Sequence, residues 1–164
     1  MFILVQLQDT IRIPPETSAK LQEDILHYLR QQLNIRYCNK VIYNIGLCII
    51  VHSILAYDEP RLFPGDAGCY IRVNFRVVVF QPFNEEVIVA KIKQSDPETG
   101  LMLSLDFFDH IHIPPHMLPE NTEYEEDAWV WNSGEHKYYF DVGNYVRFKV
   151  TNVQYVVFTF SCCI

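Results

Sequence analysis

The opening stretch MFILVQLQDTIRIPP constrains this chain most, because a long apolar strand is stopped at Pro14-Pro15 and followed at once by a helical pattern. Ile3, Val5, Leu7, Ile11 and Ile13 fall at odd positions, the period-2 signature of a strand with one face buried, and Phe2 and Leu4 add apolar character to the other face near its start. Two successive prolines remove two backbone donors and fix φ, so neither fits a central sheet ladder, whereas Pro15 is tolerated in a first helical turn. From Glu16 or Thr17 to about Leu33, apolar residues recur at Leu21, Ile25, Leu29 and Leu33 and form one helix face. Glu16, Glu23 and Asp24 near the helix start and Arg30 and Arg36 toward its end suit the helix dipole.

Beyond the helix, Val41 to Leu55 reads as one long strand bent at Gly46. Asp58-Glu59-Pro60 and Phe63-Pro64-Gly65-Asp66 are turn clusters, the second a type II turn with Gly65 taking positive φ. Cys69 to Phe80 returns as a strand, so the first unit, residues 1–80, is strand, helix, strand, strand. Gln81-Pro82-Phe83 breaks the pattern, and an all-β unit spans 81–164. It opens with a hairpin across Asp96 to Gly100, then has strands at Ile111 to Ile113, Tyr138 to Asp141 and Tyr145 to Val150, with an acidic loop from Glu120 to Asp127 and a turn at Asn132-Ser133-Gly134. Short strands at this spacing indicate a small OB-type barrel. The expected class is therefore α+β.

A charge of -7 argues against gripping nucleic acid by bulk electrostatics, so any RNA contact has to be local or shared with other subunits. No apolar run reaches the 18 or so residues of a membrane helix and no signal peptide is recognisable, so the chain is expected to be soluble and intracellular, with no membrane partner. Cys38, Cys48, Cys69, Cys162 and Cys163 have neither zinc-ligand nor disulfide-framework spacing and are expected to be reduced, packed thiols.

His110, His112 and His116, with Asp106 and Asp109 nearby, come nearest to a metal cluster, since strand alternation places His110 and His112 on one face. A further ligand of matching spacing is missing, and no metal or other cofactor is expected. The carboxylates from Glu120 to Asp127 read as a solvated charge run, and no nucleophile elbow, P-loop, dinucleotide fingerprint or zincin motif is present, so an enzyme is not expected. Phe107, Phe108, Tyr138 and Tyr139, with Lys91, Lys93, Lys137, Arg147 and Lys149, are the residue types with which an OB barrel stacks bases and steers phosphates. The competing reading makes the aromatics core and the lysines solvated. Trp129 and Trp131 share a strand face and either anchor a partner protein or close a barrel end.

The strings MFILVQLQDTIRIPP, KVIYNIGLCIIV, LFPGDAG, VNFRVVVFQPFNEEVIVAKI and the DFFDHIHIPP-to-WVW region, in this order, resemble the S1-type OB stalk component of DNA-directed RNA polymerases, a family found in archaeal and eukaryotic polymerases. The opening DTIRIPP, VVFQPF and Trp129-Val130-Trp131 look most like the RNA polymerase III member. The resemblance covers the chain to about Val150. It implies a truncated RNP-like tip domain over 1–80 that docks on the polymerase core and pairs with a smaller helical stalk subunit, and an S1-type OB domain over 81–164 facing nascent single-stranded RNA. Phe63, Pro64, Gly65 and Asp66 would then face the core, and the strands around Lys91 to Lys93 and Phe107 to His112, including His110 and His112, would face RNA. The implied function is non-catalytic, in the nucleus, in support of transcription initiation. The ending VQYVVFTFSCCI departs from the family: it is either a substitute fifth strand or an ending that leaves the barrel incomplete with an exposed edge. A free-standing OB-fold RNA-binding protein of RNA metabolism is the alternative.

Overall fold

The computed structural model describes residues 1–18, 24–154 and 159–163. The chain divides into two compact units, one spanning Phe2–Gln81 and the other Pro82–Ile164 together with Met1.

In the first unit, β1 (Phe2–Ile13) is followed by the short α1 (Pro15–Ser18) and by α2 (Ile25–Tyr37), then β2 (Lys40–Ile42), β3 (Gly46–Tyr57), β4 (Arg61–Leu62) and β5 (Cys69–Phe80). The antiparallel sheet runs β1-β5-β3-β2, with β4 beside β5. Alternation works as expected on β1: Ile11 and Ile13 join Val73, Phe75, Val77 and Val79 of β5 in a core closed by Leu29 and Leu33 of α2. Leu21, assigned to the same helix face, lies outside the described residues.

The helix runs one turn beyond the expected end at Leu33, because Tyr37 continues the four-residue repeat of Ile25, Leu29 and Leu33. Its ring meets Phe75 at 5.4 Å and its hydroxyl donates to Asp9 at 2.7 Å. Burial and that bond push the phenol up to about 12. A second correction concerns Val41 to Leu55, which is a hairpin rather than one bent strand. Ile42 pairs with Gly46 across a three-residue turn, with Asn44 at φ 58 and Gly46 at φ 129. A Cβ at Gly46 would lie 2.5 Å from the Phe80 carbonyl and 2.8 Å from Val79 Cγ1, so glycine is required both by φ and by the approach of β5. We expect Gly46→Ala to destabilise the first unit by about 2–4 kcal/mol, seen as a lower urea midpoint at an unchanged slope.

The second unit contains β6 (Val87–Asp96), β7 (Gly100–Ser104), β8 (Ile111–Ile113), a 3-10 turn at Pro115–Met117, β9 (Thr122–Glu125), β10 (Ala128–Asn132), β11 (Lys137–Phe140), β12 (Tyr145–Gln154) and β13 (Thr159–Cys163). Five strands close a barrel in the order β12-β13-β8-β7-β6, which is a Greek-key path. The closing strand pairs antiparallel with β12 and parallel with β8, Phe160 opposite Ile111. The barrel is thus complete, not incomplete at its C-terminal side, and the part of the expected fifth strand at 155–158 lies outside the described residues. Ile92, Leu101, Leu103, Ile111, Ile113, Phe148 and Val150 fill it.

The expected acidic loop is corrected as well: Thr122–Glu125 is a strand in a separate three-stranded sheet, β11-β10-β9, inserted between β8 and β12. Its alternation is hidden by charge, but Tyr124 packs edge-on against Trp129 at 5.4 Å, which makes the Tyr124 face the apolar one. Trp129 donates its indole N–H to the Asp96 carbonyl at 3.0 Å, tying this sheet to the β6–β7 turn, and Trp131 stacks on Tyr138 at 5.3 Å. Tyr138 and Tyr139 therefore belong to this sheet and not to the barrel.

Candidate nucleic-acid interface and docking loop

Charge is divided unevenly between the units. Residues 2–81 carry eight Lys and Arg against seven Asp and Glu, whereas 82–164 carries five against thirteen, so the acidity of the chain resides in the barrel unit. An RNA surface there has to be a local concentration of cations.

Antiparallel pairing of β6 and β12 builds such a surface. Tyr145 lies opposite Lys91, Arg147 opposite Val89 and Lys149 opposite Val87, while the alternate residues Ala90, Ile92, Val146 and Phe148 turn into the barrel. Lys91, Lys93, Arg147 and Lys149 therefore share one outer face, as the alternation predicts. Lys93 donates to Asp109 at 2.6 Å, and Ser104 donates to the same carboxylate at 2.5 Å. The hydrogen bond from Lys93, then that from Ser104, holds the Asp109 carboxyl below its ordinary value. Lys149 pairs with Glu85, leaving Lys91 and Arg147 without an ion-pair partner among the described residues. Beside them a shallow recess of about 450 Å³ is lined by Lys91, Ile92, Lys93, Ser104, Asp106, Asp109, Val142 and Gly143. Tyr145 is 71% exposed and flanks Lys91, a base-sized aromatic platform missing from the sequence-based set although its spacing from Arg147 and Lys149 is strand-like.

The other expected RNA residues are scattered. Phe107 is exposed on the β7–β8 connection two residues before Asp109, but Phe108 is 5% exposed and belongs to the core, so it cannot stack on a base. His110, just before β8, meets the Phe108 ring edge-on at 5.7 Å, while His112, within β8, contacts the Thr99 carbonyl, so the two flank buried Ile111 and are engaged by different partners. Among the described residues no group of three or more His, Cys, Asp or Glu is arranged for a metal ion. Lys137 and Tyr139 lie on β11, outside the barrel, and Lys137 is engaged by Glu125 at 3.2 Å.

In the first unit, the β4–β5 connection contains a hydrogen-bonded turn. Gly65 has φ 88 and Asp66 N–H returns to the Phe63 carbonyl at 3.2 Å, in keeping with the expected type II turn. Asp66 accepts from Arg12 Nε at 2.8 Å and Nη2 at 2.6 Å, from the Tyr70 hydroxyl at 2.6 Å and from Gly68 N–H at 2.9 Å. This carboxylate is consequently a clamp for the loop and not a free contact; Arg12 first, then Tyr70 and Gly68, hold it well below its ordinary value of 3.8. Phe63, resting edge-on against Tyr70 at 5.0 Å, is left 54% exposed at the loop, with Pro64 and Gly65 also exposed.

The sign of the pH effect follows. A carboxylate whose folded value is depressed contributes stability that is present above its unfolded value and is lost as pH falls toward the folded one. The melting difference between the wild-type chain and Asp66→Asn should be constant from pH 7 to 5 and narrow below the ordinary value of 3.8. A difference that widens in acid would show that the clamp is not the carboxylate pair.

Comparisons with known proteins bear on both units. The family described as RNA polymerase III subunit Rpc25 matches residues 86–159, and the SHS2 domain found in the N terminus of Rpb7p/Rpc25p/MJ0397 matches residues 8–67. DNA-directed RNA polymerase III subunit RPC8 of Bos taurus is 42% identical over 163 residues, covering 95% of this chain and 78% of the relative. Its namesake in Saccharomyces cerevisiae is 40% identical, covering 95% and 74%. DNA-directed RNA polymerase subunit Rpo7 of Saccharolobus shibatae is 26% identical, covering 96% and 85%.

Proposed function

This chain belongs to the RNA polymerase III subunit Rpc25 family, and from that premise we propose that it is a non-catalytic stalk subunit of nuclear RNA polymerase III. The observation that carries the reading is that similarity to the polymerase subunits runs through both units in one order and covers 95% of the chain. In this reading the first unit docks on the polymerase core through the clamped loop at Phe63, Pro64 and Gly65, and pairs with the smaller stalk subunit. The barrel contacts nascent single-stranded RNA through Lys91, Lys93, Arg147, Lys149 and Tyr145, with Phe107 at the border, and so supports initiation. Phosphodiester chemistry belongs to other subunits.

A tagged chain expressed in cells should retrieve polymerase III subunits from nuclear extract; retrieval of none would overturn the proposal. For RNA, fluorescence anisotropy of a labelled oligouridylate should show K91E/R147E weakening binding by about 10-fold and lowering the log–log salt slope by about 1.4, two contacts at about 0.7 each on single strands. An unchanged slope would remove this face from the RNA path. The acidity of the barrel unit disfavours a free-standing RNA-binding protein, which would need affinity from its own cations.

A further inference from the structure

The first sheet buries one face against α2 and leaves the other open. Val73, Phe75, Val77 and Val79 of β5 point into the core, so Arg72, Arg76 and Val78 lie on the opposite face. The pairing brings Leu4 and Ile50 beside Val78, both about half exposed, which makes that end of the open face apolar. The other end is basic. Arg72 and Arg76 are four residues apart on β5, about 13 Å along the strand. Arg61 lies opposite Tyr70 on β4, and Arg61 and Arg72 share with Thr10, Phe63 and Tyr70 a recess of about 90 Å³, a space for one side chain.

What distinguishes these three arginines is that their side chains have no partner among the described residues. Elsewhere in the unit Arg12 holds Asp66, Arg36 holds Asp9, Arg30 reaches the Val51 and His52 carbonyls, and Lys40 reaches the Ile35 carbonyl. Asp58 and Glu59, just before β4, make no ion pair with Arg61 or Arg72. Three unneutralised guanidinium groups on one side of a sheet, in a chain of net charge -7, form a surface with a strong preference for carboxylates or phosphates.

We infer that this face receives an extended acidic polypeptide segment of a partner subunit, its carboxylates on Arg61, Arg72 and Arg76 and one apolar side chain in the recess beside Phe63. The inference rests on the reading of the first unit as the docking half and names the chemistry of what it docks. A polypeptide fits better than RNA for two reasons. Single-stranded nucleic acid is held by successive aromatic platforms, and at the basic end Phe63 is the exposed ring, with Tyr70 set edge-on to it and its hydroxyl committed to Asp66. The face then continues into aliphatic Leu4 and Ile50, which suit the apolar side chains of an extended peptide. The next exposed ring, Phe2 opposite Phe80, is ten residues of β5 from Tyr70, about 33 Å, too far from Phe63 for successive stacked bases.

The test uses the full chain, R61E/R72E/R76E and R61K/R72K/R76K. The probes are a fluorescent twelve-residue peptide of Glu, Asp and Leu, its Gln/Asn counterpart and an oligouridylate. The acidic peptide should bind and its neutral counterpart should not. Charge reversal should weaken the peptide by about 10-fold or more and the lysine variant should retain most of the affinity, since exposed charge pairs are individually small and sum over three sites. Oligouridylate affinity should be unchanged, and retrieval of polymerase subunits from nuclear extract should fall with peptide affinity. Equal peptide affinity in the reversed variant, or a loss confined to oligouridylate, would overturn the inference. If the wild-type chain binds the acidic peptide through its arginines yet retrieves no polymerase, the docking reading fails and the arginine face stands. If the reversed variant still retrieves polymerase and binds peptide as well as wild type does, the inference fails and the docking reading stands.

Discussion

Replacing Gly100 by alanine should unfold the barrel unit at a markedly lower urea concentration while leaving the first unit folded. Gly100 ends the β6–β7 turn at φ 89, a conformation that costs an L-residue about 1–2 kcal/mol. The larger effect is steric. A Cβ there would overlap the Ile113 carbonyl oxygen and lie 3.1 Å from both the Pro114 carbonyl carbon and Cα, all of them backbone atoms that cannot rotate away. The opposing strand is tied by the pairing of Leu101 with Ile113, and Ile113 is itself fully buried, so relief requires β7 and β8 to separate. Strain and overpacking together should cost about 2–5 kcal/mol, a large share of what a domain of this size possesses. The same turn is held from within by Asp96, whose side chain accepts from Glu98 N–H at 2.8 Å and Thr99 N–H at 3.0 Å. Since Trp129 bonds the Asp96 carbonyl, the variant should also shift the tryptophan fluorescence, which makes the loss visible as a change in that signal before global unfolding. A midpoint unchanged from wild type would show that β8 can yield.

How far the sequence reveals this architecture depends on whether a residue's periodicity or its pairing decides its place. The odd positions of β1 and the paired prolines define strand, stop and helix from local rules alone. The cations of the barrel face follow from the same rule, because Lys91, Lys93, Arg147 and Lys149 alternate with buried Ala90, Ile92, Phe148 and Val150. Phe107 and Phe108 are adjacent residues of a loop, where no period distinguishes the exposed ring from the buried one. The β2–β3 hairpin is obscured because Val41, Ile42 and Leu47 are apolar on both sides of a turn that itself contains Ile45, and a single asparagine does not signal the positive φ of Asn44. In β3 the register slips between Cys48 and Ile50, Val51 and Ser53, and Ile54 and Ala56, so strand alternation is broken three times and no single repeat describes the run. The inserted sheet is hidden for a different reason: Glu123 and Glu125 look like loop residues until the strand of Trp129 and Trp131 supplies their pairing. Pairing partners distant in sequence, rather than composition, assign these elements. The arginine face has the same origin, since Arg61 and Arg72 are brought to one recess only by the fold.

The complementary expectation concerns the first unit. Phe75 is fully buried at the centre of β5, paired on one side with Leu7 and on the other with Ile54, and its ring meets Tyr37 at 5.4 Å. Phe75→Ala removes a large apolar side chain and leaves a void bounded by two strands and α2, none of which can move in without breaking sheet pairing or helix packing. The expected loss is about 3–5 kcal/mol, the range for phenylalanine truncation in a core that relaxes only partly. It should act on α2 as well as on the sheet, because Tyr37 loses its ring contact while its hydroxyl remains bonded to Asp9, so helical circular dichroism and the first-unit urea transition should fall together. Phe75→Leu should recover most of the loss, since it restores apolar volume without adding a polar group. The barrel, whose core is built around Phe148 and Ile92, should retain its own transition. Coincident loss of both transitions would show that the two units fold as one, and a Phe75→Ala chain whose barrel binds oligouridylate as wild type does would show that such binding does not depend on the integrity of the first unit.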